Sequence, residues 1–102
     1  MKDHDIEFVQ ESERIITEIA DAIEDQDEEC LIDVDLNSSI LTLTAEQGTF
    51  VINKQTAAQE IWLSSPISGP YHFKKDKGYW RSRDGTELFE ILAKELPINI
   101  KW

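Results

Sequence analysis

Apolar and polar residues alternate along several short stretches of this chain, as expected for strands that bury one face. In residues 59–64, Ile61 and Leu63 fall on one face, whereas Trp62 and Glu60 fall on the other. Segments rich in Asn, Ser, Gly or Pro separate these stretches and predict hairpin turns. Further strands are predicted at residues 31–36, 40–44, 49–53, 71–73 and 79–83.

Helical periodicity appears at both ends of the chain. In the first helix the apolar residues recur at spacings of three, four and seven. These residues are Phe8, Ile15, Ile16, Ile19 and Ile23. Asp84 and Glu87 have the spacing of a capping box, which predicts a second helix that ends before Pro97. The apolar tail at residues 98–102 should pack back on the two helices.

A helix, five or six antiparallel strands and a second helix predict an α+β two-layer sandwich, with both helices on one face of the sheet. The 102 residues suffice for one domain, residues 1–102, with a single core. Because two helices cover only one face, we expect the other face to stay open and to expose Trp62. The alternative is that a second layer covers Trp62.

The composition indicates in which cellular compartment the protein works and which cross-links it can form. No apolar run approaches the roughly 18–20 residues that cross a bilayer. The first residues show neither a signal peptide nor a transit peptide. Cys30 is the only cysteine, which excludes an internal disulfide and a thiolate metal cage. We therefore expect a cytoplasmic protein without a membrane partner; the alternative is a processed organellar protein.

The net charge of −11 is concentrated in the first third of the chain. Residues 1–36 contain fourteen acidic side chains against Lys2 and Arg14, whereas residues 37–102 contain seven acidic and eight basic side chains. Such a surface repels nucleic acids and anionic membranes, because both are polyanions. It favours cations or basic proteins as partners.

The acidic ridge is our name for nine carboxylates at the end of the first helix, in the loop after it and in the first strand. They are Glu18, Asp21, Glu24, Asp25, Asp27, Glu28, Glu29, Asp33 and Asp35. Carboxylates without thiols suit hard ions such as Fe³⁺, Ca²⁺ or Mn²⁺, and bind Fe²⁺ less tightly. The sequence has neither the spacing of an EF-hand nor two histidines at i, i+4. Cation binding should therefore be weak, distributed over several sites and sensitive to salt. The alternative is a solvated acidic face without a ligand.

Several motifs resemble the frataxin family, whose bacterial members are called CyaY. They are Asn-Lys-Gln-Thr at residues 53–56, Ile-Trp-Leu-Ser-Ser-Pro at 61–66, Ser-Gly-Pro at 68–70, Gly-Tyr-Trp at 78–80 and Asp-Gly at 84–85. The resemblance covers nearly the whole chain and implies the same two-layer fold. It also implies that the acidic ridge binds iron, as Fe²⁺ or Fe³⁺, and contacts a basic surface of the cysteine desulfurase. By the same resemblance, Asn53, Gln55 and Trp62 contact the iron–sulfur scaffold protein.

One position departs from the mitochondrial frataxins. Where those proteins carry a basic pair after the Ser-Gly-Pro turn, this chain has Tyr71 and His72. A histidine there would make contacts through this edge depend on pH. The alternative is that His72 is simply a partly exposed strand residue.

Three functions follow from these features. The first is an iron-binding protein that supplies iron to, or modulates, iron–sulfur cluster assembly by docking onto the desulfurase–scaffold complex. The second is an acidic interaction module that regulates the desulfurase, with metal binding incidental. The third, a ferroxidase, is disfavoured because no Glu-x-x-His constellation is present, and no catalytic residue is predicted. We expect a monomer, with iron-dependent oligomerisation as the alternative.

Overall fold

Two helices and six strands make up residues 3–102, the part of the chain that the computed structural model describes. The elements are α1 (Asp3–Gln26), β1 (Asp33–Asn37), β2 (Ile40–Ala45), β3 (Gly48–Gln55), β4 (Glu60–Ser65), β5 (Gly69–Asp76), β6 (Tyr79–Arg81) and α2 (Leu88–Glu95). The strands form one antiparallel sheet in the order β1 to β6. This architecture confirms the predicted α+β sandwich. No helix of residues 3–102 is long and apolar enough to cross a membrane.

The core lies between the two helices and one face of the sheet. All five apolar residues predicted for the first helix are buried, and Ile61 and Leu63 are buried beneath them. At the far edge of the sheet, the rings of Phe8 and Trp80 meet edge to face at 6.1 Å. Side chains that alternate with the buried ones, such as Trp62 and His72, remain partly or fully exposed. The second sheet face is therefore open, as the two-helix pattern predicts.

The hairpin of β3 and β4 is longer than the sequence pattern predicts. Lys54 and Gln55, which follow the strand predicted at residues 49–53, are the last residues of β3. Lys54 pairs with Ile61 and Gln55 with Glu60 across the hairpin. An ion pair between Lys54 and Glu13 of α1, at 3.0 Å, stabilises this extension.

The start of α2 differs from the capping-box prediction. Glu87 is the N-cap, and its carboxylate accepts hydrogen bonds from the N–H groups of Phe89 (3.0 Å) and Glu90 (3.2 Å). The prediction placed the cap at Asp84 and is wrong by three residues. After a turn at residues 83–84, a bridge to Arg81 holds Glu87 in an extended conformation (φ −102°, ψ 139°), so the helix begins only after it.

The tail packs back on both helices, as predicted. Ile100 is buried, and the indole N–H of Trp102 donates to the carbonyl of Phe89 at 2.9 Å. The side-chain amide of Gln26 donates to the carbonyl of Lys101 at 2.6 Å and accepts from its N–H at 2.8 Å. These contacts attach the tail to α2 and to the end of α1.

Gly48 should tolerate no side chain. Its φ is +135°, and a Cβ built there would lie 2.6 Å from Cβ of Pro66. Backbone strain and this clash together should make Gly48→Ala lose about 1–3 kcal/mol of unfolding free energy, measured by urea denaturation. Gly78→Ala is the matched control, because Gly78 also has positive φ (+88°) but faces open space. Equal losses in the two variants would show that the contact with Pro66 contributes nothing.

Candidate functional site

The acidic ridge is exposed along the end of α1, the following loop and β1. Eight of its nine carboxylates belong to exposed residues; Asp27 is the exception. The structure brings the three segments together because α1 packs against β1. On β1, Asp33 and Asp35 share the outer face, as their alternation with Val34 predicts.

Asp27 has a structural role in the loop after α1. Its two carboxylate oxygens accept the backbone N–H groups of Leu31 (2.9 Å) and Ile32 (2.8 Å). The backbone of the same residue accepts the N–H of Cys30, which has a left-handed φ of +56°. Asp27 therefore folds the loop around its own side chain and is the ridge member least available to a ligand.

Most of the exposed ridge carries negative charge without a neutralising base. Glu18 pairs with Arg14 at 2.8 Å, and no other ridge carboxylate forms an ion pair within residues 3–102. The last turn of α1 also contains no basic residue. Because the C-terminal end of a helix carries partial negative charge, cations near this turn are stabilised by the helix as well as by the carboxylates.

The ridge is not a preformed metal cage. Among residues 3–102, no group of three or more His, Cys, Asp or Glu side chains is arranged to hold a single metal ion. An arrangement of this kind suits hydrated cations held by one or two carboxylates at a time. Weak, distributed binding of cations along the ridge therefore stays a prediction.

The docking face, by which we mean Asn53, Gln55 and Trp62, lies on the open side of β3 and β4. Asn53 and Trp62 are direct cross-strand partners, and all three residues are partly exposed. The Trp62 indole N–H donates to Oε1 of Glu60 at 2.9 Å. No second layer covers Trp62 within residues 3–102, so its position agrees with the expected open face and not with the covered alternative.

His72 is the main contact of the docking face that the sequence did not reveal. Its ring stacks on that of Trp62, with centroids 4.1 Å apart and planes only 7° from parallel. Its Nδ1 lies 3.9 Å from Oε1 of Glu60, the oxygen that also accepts the indole N–H. Tyr71, in contrast, points to the other face and stacks on Phe73. Only the β4–β5 register, which pairs Trp62 with His72, shows that the two rings meet.

Known proteins are similar to this sequence over most of its length. The sequence model of the frataxin-like domain family matches residues 1–101. A mitochondrial frataxin-like protein of Leishmania donovani is 37% identical over 90% of this chain and 54% of its own length. The chain spans about half the length of the curated relatives it matches.

Solved structures share the fold as well. Frataxin from Psychromonas ingrahamii is 27% identical and superimposes with a TM-score of 0.80 over 95% of each chain. Trimeric frataxin from Saccharomyces cerevisiae, solved in complex with ferrous iron, is 34% identical with a TM-score of 0.67, over 93% of this chain and 83% of its own. From the family match and these relatives, the chain belongs to the frataxin family.

Proposed function

We propose that this protein binds iron weakly on the acidic ridge and supplies iron to, or modulates, iron–sulfur cluster assembly. It would do so without catalysing a reaction itself, by docking onto the complex of cysteine desulfurase and scaffold protein. The observation that carries the proposal is the row of exposed ridge carboxylates without basic partners. Family membership, and the yeast relative solved with ferrous iron, support iron as the ion.

The geometry of the ridge suits transfer of iron better than storage. Exposed carboxylates hold Fe²⁺ or Fe³⁺ through oxygen while leaving coordination positions to water. An ion held in this way exchanges readily with a second set of ligands. Other divalent or trivalent cations, such as Ca²⁺ or Mn²⁺, would compete for the same oxygens.

Docking would use two surfaces with different chemistry. The acidic ridge would attract a basic surface of the desulfurase and raise the rate of encounter, an effect that salt weakens. The docking face would contact the scaffold protein, with Trp62 as an aromatic anchor and Asn53 and Gln55 as hydrogen-bonding groups. The acidic ridge lies on the end of α1, the following loop and β1, whereas the docking face lies on β3 and β4, so the two partners would contact different elements.

The second candidate function is an interaction module in which metal binding is incidental. It is favoured by the lack of a gathered ligand set in residues 3–102 and by the engagement of Asp27 in its loop. Binding to the desulfurase that survives a chelator but fails at high salt would support this candidate.

For either function we propose a cytoplasmic monomer. The yeast relative is trimeric, so sedimentation with and without iron is the measurement that tests this state.

A ridge variant separates the two candidates. Asp25, Asp33 and Asp35 changed together to Asn should weaken Fe²⁺ binding by roughly tenfold, because each exposed carboxylate contributes about 0.5 kcal/mol. Anaerobic titration followed by amide NMR shifts measures this binding, and a parallel assay measures binding to the desulfurase. Asp27 stays intact so that the loop keeps its fold.

The matched control removes the same charge elsewhere: Glu46→Gln, Asp76→Asn and Glu90→Gln, all at exposed positions. If the ridge variant loses both iron and partner binding while this control keeps them, the ridge is a shared site. If the ridge variant loses only the partner, the iron assignment is wrong. Shifts scattered evenly over the wild-type surface would also contradict it.

A further inference from the structure

An open groove of about 980 Å³ lies on the open face beside β5 and β6, away from the acidic ridge. Three basic side chains line it against two acidic ones, in a protein of net charge −11. The lining therefore has a net charge of +1 with the histidine neutral. The charged and titratable lining residues are Glu60, His72, Lys74, Arg81, Arg83 and Asp84.

Two of these bases lie side by side on the neighbouring strands β5 and β6. Lys74 and Arg81 are direct partners in the β5–β6 pairing, on the same face. Like charges directly opposite on neighbouring strands destabilise a sheet. With 21 acidic and 10 basic residues in the chain, acidic partners are plentiful, yet neither base forms an ion pair within residues 3–102.

Other bases of the same sheet do find acidic partners. Lys54 pairs with Glu13 of α1, and Lys75, the neighbour of Lys74, pairs with Glu11. Lys75 points towards the helix layer, whereas Lys74 points into the groove. The positive charge of the groove is therefore a local exception to the pairing seen on the helix side.

The acidic residues of the groove are already engaged by internal donors. Glu60 accepts the indole N–H of Trp62. Asp84 accepts the Ser82 hydroxyl and the Thr86 N–H at 3.1 Å, and these hydrogen bonds lower its pKa. The bases thus remain available to an external anion.

Arg81 is held in position for such a contact. Its guanidinium lies 4.9 Å from the centroid of the Tyr79 ring and donates to the carbonyl of Gly85 at 3.3 Å. A guanidinium has five N–H donors in a fixed plane, and the contact with Gly85 uses one of them. A side chain fixed in this way loses less conformational entropy when it binds a carboxylate.

We propose that this groove binds a short, extended acidic segment of a protein partner, with carboxylates at alternate positions. His72 and Lys74 are alternate residues of β5, so their side chains repeat along the strand at roughly 6.6 Å, and an extended peptide repeats its own side chains at the same distance. Arg81 and Arg83 then meet the segment from the β6 side.

The volume of the groove exceeds what a single carboxylate fills. The overall negative charge opposes longer polyanions such as nucleic acid. The proposal goes beyond the iron function and beyond scaffold docking through Asn53, Gln55 and Trp62, since neither a ridge residue nor any of these three lines the groove.

Fluorescence anisotropy tests the proposal with the full chain and a labelled Gly-Glu-Val-Glu-Val-Glu-Gly peptide. We expect saturable binding at low salt that disappears at about 0.5 M NaCl, where surface charges are screened. Lys74→Gln, Arg81→Gln and Arg83→Gln should each raise Kd about three- to fivefold, the range for one exposed ion pair. The same peptide with Gln in place of Glu should not bind.

Lys94→Gln is the matched control, since Lys94 is exposed on α2 and lines no part of the groove. An equal loss in this variant would show attraction to net charge alone and overturn the proposal, as would binding of the Gln peptide. Self-association of the wild type that Asp33→Asn and Asp35→Asn abolish would make a second copy the occupant, which also overturns it. Circular dichroism checks folding, and Arg83→Gln remains informative if Arg81→Gln unfolds. Fe²⁺ titration of Lys74→Gln should match wild type, so failure here leaves the iron function untouched.

Discussion

Replacing Asp27 by Ala should lower the free energy of unfolding by about 2–4 kcal/mol, because two buried or partly buried N–H groups lose a charged acceptor. Those groups belong to Leu31 and Ile32, at the entry to β1. Asp27 is only 9% exposed, so water cannot readily replace its carboxylate. Urea denaturation of the wild type and the variant measures the difference.

Neighbouring carboxylates of the same run provide the control for this prediction. Asp25→Ala and Glu28→Ala remove the same charge from exposed positions and should change stability by less than about 0.5 kcal/mol. A loss below about 1 kcal/mol in Asp27→Ala would show that other contacts fix the loop. Such a result would return Asp27 to the set of available iron ligands.

Trp62→Ala should weaken binding to the desulfurase–scaffold complex by roughly 2 kcal/mol or more, about 30-fold in Kd, as expected for a central aromatic anchor. The fold should survive, because the ring lies on the open face and not in the core. Loss of the stack on His72 should cost only about 1 kcal/mol of stability. Calorimetric titration and thermal unfolding measure the two effects.

Ser64→Ala is the control for the docking face, since Ser64 is exposed on the same side of β4. It should bind the complex like wild type. If Trp62→Ala instead loses more than about 3 kcal/mol of stability, the ring behaves as a core residue and the docking assignment fails.

Periodicity predicted the parts of the fold that depend on burial. The apolar residues of α1 and the alternation of Ile61, Trp62 and Leu63 follow directly from which side of an element meets the core. The exposure of Asp33 and Asp35 has the same origin. Such positions are fixed by a repeat within one element, and the sequence shows that repeat.

Features that depend on loop conformation or strand register were not predictable in this way. The role of Asp27 requires a loop that turns back at Cys30, whose positive φ no pattern indicates. The stack of Trp62 and His72 requires the register of the β4–β5 hairpin. Before α2, the spacing of Asp84 and Glu87 is that of a capping box. The bridge between Arg81 and Glu87 nevertheless moves the N-cap from Asp84 to Glu87.

The strand order has a consequence for how the chain reaches its native state. Each strand pairs with the next one in sequence, so the whole sheet can form from hairpins whose ends are close along the chain. Loop closure of this kind has a small entropic cost, and folds rich in local pairings cross their barrier quickly. The slow events are then those that join distant segments, such as the contact of Phe8 with Trp80 and the attachment of Lys101 to Gln26. Refolding should therefore be limited by the docking of the N-terminal helix and the tail onto a sheet that is already paired.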